Sequence, residues 1–388
     1  MRSLRQKKDE RLNMRVLVTG AKGFVGRNLC LTLEQIPDIE VLKYDIGDEP
    51  QLDRFLSECD FVMHLAGVNR PKDPLEFKTG NTVFTEDILG KLATRQNPPP
   101  VLLSSSIQAA LDNDYGKSKA AAEDAVRAYG EKTGAPIFIY RLANVFGKWC
   151  RPNYNSAVAT WCYNIVRDLP IMVRDPAATV TLVYIDDVVH GFISCLYNRE
   201  PCPYTKDGVP MSITPSYTKS LGEIVELIKS FHDESDNLMI PDQADDFTKK
   251  LYSTYLAALP EDKFSYPLIM HSDNRGSFTE ALHSAERGQV SVNVSKPGIV
   301  KGQHWHHTKH EKFLVVSGEG AINFRMADDP TAHVISYKVS GEKLEVVRIP
   351  PGYTHNIINL GDRDMVTIMW ANEIFDPQTP DTFRLNVW

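Results

Sequence analysis

The chain has 388 residues, 42% of them hydrophobic and 24% charged, with a net charge of −7 at pH 7. This length fits two ordinary globular domains. The acidic balance argues against non-specific nucleic-acid or anionic-membrane binding as the main task, but leaves room for an anionic small molecule in a local basic pocket. Six cysteines (Cys30, Cys59, Cys150, Cys162, Cys195, Cys202) form no Cys-x-x-Cys pair, so neither a disulfide framework nor a thiolate zinc site is indicated. No apolar run approaches the roughly 18–20 residues of a spanning helix, and a cytoplasmic protein without membrane insertion is expected.

Residues 1–13, charged throughout and without the apolar core of a signal peptide, read as a disordered extension. From Met14 a folded domain is expected to begin. Arg15 to Thr19 is a short β-branched and apolar run, stopped by Gly20-x2-Gly23-x2-Gly26 and followed by a helix-like stretch from Arg27 to Gln35. Strand, glycine turn and helix are what a dinucleotide fingerprint requires. Gly20, Gly23 and Gly26, with Phe24 and Val25 between them, let the backbone approach a pyrophosphate at a helix N-terminus, where free N–H groups and a partial positive charge lie.

The stretch from Glu40 to Tyr44 predicts the second strand, with Asp45 where an acidic residue would bind the ribose hydroxyls of NAD. Asp60 to Gly67 is a buried-strand pattern that ends in small residues and brings Leu65 and Ala66 beside the cofactor. Val101 to Ser106 is a strand ending in hydroxyls, and Tyr115 then precedes Lys119 by four residues at the head of an alanine-rich helix running to about Tyr129. That spacing puts both on one helix face. A phenol near pKa 10 is a poor proton donor at neutral pH, and a neighbouring ammonium and an oxidised nicotinamide both favour the phenolate. Ser106 would hold a substrate oxygen while Tyr115 gives or takes its proton. A surface helix can begin Tyr-x3-Lys by chance, but the glycine turn and the serine-ended strand weigh against that here.

These segments resemble extended short-chain dehydrogenases acting on nucleotide sugars. Arg141-Leu142-Ala143-Asn144-Val145-Phe146-Gly147 and Leu182-Val183-Tyr184-Ile185-Asp186-Asp187-Val188 strengthen the likeness. It implies a doubly wound α/β Rossmann domain, with a sugar-nucleotide site contacted by Asn144, Arg151 and Asn155. The loop after the second strand is short for that family, and Asp45-Ile46-Gly47-Asp48 also resembles the segment that contacts adenine. Under that alignment Lys43, Lys22 or Arg27 receives a 2′-phosphate, which favours NADPH over NAD.

Leu221 to Phe231 has amphipathic helical spacing. Polar residues 232–246 lead to the tyrosine-rich segment 251–256, and from about Pro260 alternating strands and Gly/Pro/Asn turns dominate. The expected organisation is a reductase domain at 14–245, a linker at 246–265 and an all-β domain at 266–388.

In that last domain Gly298-x5-His304-x-His306-x4-Glu311-x6-Gly318 is followed by Pro350-Pro351-Gly352-x2-His355-x3-Asn359. Three imidazoles and a carboxylate suit one first-row divalent metal. Residues two apart on a strand share a face, so His304 and His306 point at one ion, joined by Glu311 and His355. A solvated histidine-rich loop is the competing reading. The two motifs resemble those of cupins, jelly-roll β-barrels, with zinc the implied metal. Asp273 to Glu280 and Gly298 to His304 further resemble cupin-type nucleotide-sugar epimerases, which invert centres beside a 4-keto group. By that likeness Arg275 meets the nucleotide phosphates, Lys301 joins the substrate site, and His304 is a general base needing no metal. Coordination would consume the lone pair a base uses, so the two roles of His304 exclude each other. The four-ligand set favours ligation, which leaves His307, Lys309 and His310 as base candidates.

The combination resembles bifunctional capsular polysaccharide synthesis enzymes along almost the whole chain after Met14. This implies C3 epimerisation of a UDP-2-acetamido-2,6-dideoxy-4-hexulose and reduction at C4 by NADPH. The product would be UDP-N-acetyl-6-deoxy-talosamine, formed by a homodimer on the route to N-acetyl-L-fucosamine. A 4-epimerase or plain ketosugar reductase with a structural cupin is the main alternative. A dehydratase would carry an Asp-Glu pair where Ile107-Gln108-Ala109 stands, and a pure redox sensor would need neither Tyr115 nor Lys119.

Overall fold

The computed structural model describes residues 14–47, 49–71, 73, 75–197 and 209–388; the expected extension at 1–13, Asp48 and Cys202 lie outside them. Two compact units emerge, one comprising the chain to Ile228 with Lys250–Leu259, the other Lys229–Lys249 with Pro260–Trp388.

The first unit is built on β1 (Met14–Thr19), β2 (Ile39–Tyr44), β3 (Phe61–His64), β4 (Val101–Ser106) and β5 (Ile137–Leu142), paired in parallel in the order β2-β1-β3-β4-β5. Val16, Leu17, Val18, Val101, Leu102, Leu103, Ile137 and Ile139 are all buried, as expected of strands covered on both faces. The helices are α1 (Phe24–Leu33), α2 (Glu49–Glu58), α3 (Leu75–Phe77), α4 (Phe84–Leu92) and α5 (Asp114–Thr133). Beyond β5 come β6 (Asn144–Phe146), α6 (Ala157–Ile165), β7 (Thr179–Tyr184), α7 (Ile185–Leu196), β8 (Tyr217–Ser220) and α8 (Leu221–His232), with β6, β7 and β8 forming a second small sheet. Strand order reverses between β1 and β3, and in open α/β sheets the crevice at that reversal is where ligands bind.

Helix α1 starts three residues before the expected Arg27, because the glycine turn is itself its N-terminus: Gly23, extended at φ −68° and ψ 171°, is the N-cap. A Cβ on Gly26 would stand 2.1 Å from the Gly20 carbonyl oxygen, so the third glycine is required by packing. Helix α5 outruns its expected end and stops at Gly134, in the left-handed region at φ 73°.

After the short α9 (Glu234–Asn237), the chain forms α10 (Asp246–Leu256) where a linker was expected. Phe247, Leu251 and Tyr255, four apart, bury one stripe of this helix. Within the first unit Lys250 Nζ donates to Asp187 Oδ2 at 2.9 Å and to the Tyr217 hydroxyl at 2.8 Å.

The remaining strands are β9 (Met270–Asp273), β10 (Gly276–Ser284), β11 (Gly288–Ser295), β12 (Val300–Trp305), β13 (Glu311–Ser317), β14 (Glu319–Met326), β15 (Ile335–Ser340), β16 (Val346–Ile349), β17 (Tyr353–Asn359), β18 (Met365–Ala371) and β19 (Phe383–Arg384). They make two antiparallel sheets, β16-β13-β18-β11-β10-β9 and β15-β14-β17-β12-β19, around a core that includes Phe313, Ile322, Phe324 and Ile357. This is the expected cupin-like architecture. Strand β11 alternates in an unusual sense: Gln289, Ser291, Asn293 and Ser295 are buried, while Val290, Val292 and Val294 are only half-buried. Among the described residues, no helix is long and apolar enough to cross a membrane.

Candidate functional site

A cleft of about 580 Å³ opens at the reversal point and is lined by Gly20, Gly23, Phe24, Val25, Gly26, Leu65, Ser106, Tyr115, Lys119, Asn144, Arg151 and Asn155, among others. Most of the expected cofactor, catalytic and substrate residues of the first unit therefore meet in one place. Ala66 does not line it; its N–H is held by Thr19 Oγ1 at 3.2 Å. His64 sits between Thr19 Oγ1 (2.7 Å) and Thr85 Oγ1 (2.8 Å), and burial drives its pKa down to about 3, so it locks β1 to β3 as a neutral ring. A Cβ on Gly20 would stand 2.8 Å from the Ala66 nitrogen, which is why the backbone after β1 can lie so close to β3.

Tyr115 hydrogen-bonds Ser106. Burial raises the phenol's pKa and the Ser106 contact offsets this only in part, so the resting group is the neutral proton donor. Lys119 Nζ lies 6.0 Å from the Tyr115 ring centroid and donates to the Ser104 carbonyl at 3.1 Å. Burial lowers its pKa to about 8, against the pull of Glu123. Glu123 follows Lys119 by one more helical turn and is fully buried. It accepts from Ser105 Oγ at 2.6 Å, from Arg141 at 2.8 and 2.7 Å, and from Arg127 at 3.1 Å. The Tyr115-x3-Lys119 spacing is legible in the sequence, but Glu123 and its partners on β4 and β5 are not.

The motif search also missed buried Asn81, which lies in a π-helical turn and grips Val68 through both backbone groups (2.7 and 2.9 Å) and Ser118 Oγ (2.9 Å). Tyr154 was missed as well. Its ring has the Arg151 guanidinium at 5.1 Å and that of Arg70 at 5.9 Å. Asn144, by contrast, already donates to the Thr181 carbonyl at 3.2 Å.

A neighbouring groove is lined by Lys22, Arg27, Lys43, Asp45 and Trp149. Lys43 is paired with Glu34 at 2.5 Å, so its charge is already met. Asp45 Oδ2 accepts the Lys22 N–H at 2.8 Å and pins the glycine turn to the end of β2. Arg27 lies over the Trp149 ring at 4.7 Å, and among the described residues neither it nor the Lys22 ammonium has a carboxylate partner.

In the second unit His304, His306, Glu311 and His355 converge, their donor atoms all within 4.8 Å of one another. His304 on β12 lies opposite His355 on β17, past a bulge where Gly302 and Gln303 have φ of 99° and 65°. Bulges of this kind re-aim side chains. His306 lies just beyond β12, and Glu311 opens β13. Glu311 Oε2 is 3.4 Å from His306 Nε2 and 3.3 Å from His355 Nε2. Burial works to raise the Glu311 pKa, but the His306 and His355 rings and Lys309 outweigh it and hold the carboxyl well below its usual range. His304 is lowered to about 4, chiefly by burial and then by the His355 charge. Both ring nitrogens of His355 are buried without a hydrogen-bond partner. Orphaned buried nitrogens facing a carboxylate suit a cation, and the N₃O donor set fits a divalent transition metal.

The other expected residues of this unit are placed differently. Arg275 is exposed and held by Asp273 at 2.9 and 2.6 Å. The Lys301 ammonium is shared among the Ser277 and Val294 carbonyls and Asn293 Oδ1, at 3.3, 2.7 and 2.9 Å. Of the three base candidates, Lys309 is buried with Nζ 3.8 Å from Glu311 Oε1. The His307 ring instead packs on Trp305 and Phe383, and that of His310 on Trp370.

Residues 16–203 match the NAD dependent epimerase/dehydratase family and residues 271–383 the polysaccharide biosynthesis C-terminal domain. The chain is 46% identical over 378 residues to a UDP-2-acetamido-2,6-beta-L-arabino-hexul-4-ose reductase of Pseudomonas aeruginosa, covering 96% of this chain and 99% of that protein. It is 50% identical to the capsular polysaccharide assembling protein CapF of Staphylococcus aureus, whose crystal structure superposes with a TM-score of 0.90 over 96% of this chain and all (100%) of that one. The spore coat polysaccharide biosynthesis protein SpsL of Bacillus subtilis is 25% identical over 126 residues, covering 30% of this chain and 83% of that protein.

Replacing Glu311 by Gln removes the only anionic donor of the cluster. If the cluster holds a divalent metal, the metal content of the purified protein, measured by atomic absorption, is expected to fall together with the melting temperature. Unchanged metal content would remove Glu311 from the ligand set.

Proposed function

The chain belongs to the family of CapF capsular polysaccharide assembling proteins, nucleotide-sugar oxidoreductases of capsule synthesis, and from that premise we propose a two-step reaction on one substrate. The substrate is a UDP-2-acetamido-2,6-dideoxy-4-hexulose, epimerised at C3 by the cupin unit and reduced at C4 by the Rossmann unit. The product is UDP-N-acetyl-6-deoxy-talosamine, a precursor of N-acetyl-L-fucosamine. The observation that carries this reading is that each unit holds its own constellation: Ser106, Tyr115 and Lys119 line the cleft of one, and His304, His306, Glu311 and His355 converge in the other.

In the cupin step the C4 carbonyl acidifies the C3 proton. A base removes it, and reprotonation from the opposite face inverts the centre. Lys309 is the base candidate whose head group reaches the cluster. His304, His306, Glu311 and His355 would hold zinc, which can polarise a carbonyl oxygen when a coordination position is open or stabilise the barrel when none is.

In the reductive step a bound reduced nicotinamide would supply hydride for C4. Ser106 holds the carbonyl oxygen and Tyr115 gives it a proton, leaving a phenolate that the nearby Lys119 ammonium stabilises. Asn81 and Gly67 keep the loop after β3 clear of that ammonium: a Cβ on Gly67 would stand 3.1 Å from Lys119 Nζ. Lys22 and Arg27, which have no carboxylate partner among the described residues, support NADPH as the coenzyme, with Lys43 beside them in the same groove and paired to Glu34. Asn144, Arg151 and Asn155 line the same cleft, which supports their assignment to the sugar nucleotide.

A homodimer is supported by the outward face of the six-stranded sheet. Val290, Val292 and Val294 pair across β11 and β18 with Trp370, Ile368 and Val366, and Ile368 is 38% exposed. Such a contiguous apolar face is the mark of an interface. Ile368→Glu is expected to shift the species seen by sedimentation velocity from dimer to monomer; a wild-type monomer at micromolar concentration would overturn the assignment.

The decisive experiment uses the UDP-4-keto-6-deoxy-N-acetylhexosamine in D₂O, followed by NMR at C3. Deuterium should enter C3 without NADPH, and a reduced product should form with it. Tyr115→Phe should abolish NADPH oxidation and leave C3 exchange intact. NADPH oxidation by the wild type without exchange would leave a ketosugar reductase carrying a structural cupin.

The Lys119 charge also predicts a pH dependence. Its pKa is lowered to about 8, so the ammonium is present below that pH and lost above it. The reductive kcat should therefore be level on the acid side and fall as pH rises through about 8. A profile level through that pH would remove Lys119 from the step.

A further inference from the structure

The turn that carries His306 toward Glu311 is tied at its ends by Gly352, whose N–H meets the His306 carbonyl at 3.0 Å, and by Asn372, whose Oδ1 accepts the His310 N–H at 2.8 Å. Between these points it is held by a residue more than seventy positions away. Asp381 Oδ1 accepts the His307 N–H at 2.8 Å, and Oδ2 accepts the N–H groups of Thr308 and Lys309, each at 2.7 Å, with Thr308 Oγ1 at 3.2 Å. Burial works to raise the Asp381 pKa, but the backbone N–H groups of His307, Lys309 and Thr308 outweigh it and hold the carboxyl well below its usual range. The main-chain carbonyl of the same residue faces His306 Nδ1. A carbonyl only accepts, so Nδ1 carries the proton and the lone pair of the neutral ring is on Nε2, the nitrogen that faces Glu311.

We propose that Asp381 is the positioning residue of the candidate metal site, setting its affinity for zinc through the orientation of His306 without itself being a ligand. The inference rests on the metal reading given above. Its chemistry is that of an outer shell, in which a fixed hydrogen bond to the far nitrogen selects the tautomer and holds the ring at one angle. The contrast with His355 is direct: neither of its ring nitrogens has a hydrogen-bond partner, whereas His306 is fixed from behind. The segment carrying Asp381 is itself secured. Strand β19 pairs with β12, setting Arg384 opposite His304 and Phe383 opposite Trp305. Downstream, Arg325 donates to the carbonyls of Val387 and Asn386, each at 2.8 Å. The acceptor for His306 is thus placed by a clamp with two ends, the β19 pairing and the Asp381 carboxylate in the nest of N–H groups.

Because that acceptor is main chain, substituting Asp381 leaves the carbonyl in the chain and removes only what places it. The test uses the full-length protein, stripped of metal and reloaded with zinc. Affinity and release rate are read by competition with a chromophoric chelator, and melting temperature is read with and without zinc. Asp381→Ala is expected to weaken zinc binding by about 10–100-fold, to speed release, and to shrink the rise in melting temperature that zinc produces. Asp381→Asn, which keeps one carbonyl oxygen in the nest, should fall between Ala and wild type, and carries the test alone if the alanine variant does not fold. Zinc affinity and release equal to wild type in the variants would overturn the inference, whatever happens to metal-free stability, since a merely structural clamp would lower both melting temperatures together. A wild-type chain that takes up no zinc would overturn the metal reading, and this inference with it.

Discussion

The reductase site depends on one carboxylate taken wholly out of water. An unpaired buried charge costs several kcal/mol (about 3–5 when one partner of a pair is removed). Glu123 is tolerable only because its oxygens are met by Ser105 of β4, Arg141 of β5 and Arg127 of α5. Burial alone would raise its pKa, yet Arg141 and Ser105 hold it low. Those partners come from three elements, so β4 cannot slide along α5 without stranding a charge. Ser106 is the next residue on that strand, and Lys119 and Tyr115 are one and two turns back along that helix. Their alignment follows from the Glu123 contacts and does not depend on the ligand being present.

The cupin unit faces a similar difficulty with different means. It gathers three imidazoles and a carboxylate in a largely buried place, where the His355 nitrogens have no hydrogen-bond partner among the described residues. Among the described residues no guanidinium neutralises Glu311 as Arg141 does Glu123; Lys309 stands 3.8 Å away. The cluster is satisfied in part by its own members, and the remainder is what a cation would supply. In both units a second acidic side chain outside the reacting groups sets the geometry: Glu123 from within α5, and Asp381 by reaching across from the far end of the sequence.

What was legible in the sequence follows from this arrangement. Local patterns read well: the glycine turn after β1, the Tyr115–Lys119 face of α5, the amphipathic α8 and the two metal motifs all depend on spacing within one element or hairpin. The helical period of 246–256 is hard to read because its apolar stripe, Phe247, Leu251 and Tyr255, is interrupted by polar residues in a tyrosine-rich segment. The Lys43–Glu34 pair is not legible in the sequence, because Glu34 caps the end of α1 and nothing in the sequence places it beside β2. Asn81, Tyr154 and Asp381 left no signal, since each acts through contacts with segments remote in the chain.

On the proposed reading, the chemistry also explains why one chain should carry both units. Inversion beside a ketone is close to balanced, because the two epimers differ only in configuration and the same acidified proton serves both directions. Reduction at C4 removes the carbonyl that made C3 acidic, so the centre can no longer be deprotonated and the configuration is fixed. The order of the steps is therefore imposed by the substrate. A sugar reduced first could not be epimerised, whereas a sugar epimerised first is trapped by the hydride. Tyr115 and the candidate base Lys309 stand in different units, which suits that order because neither proton transfer draws on the groups of the other.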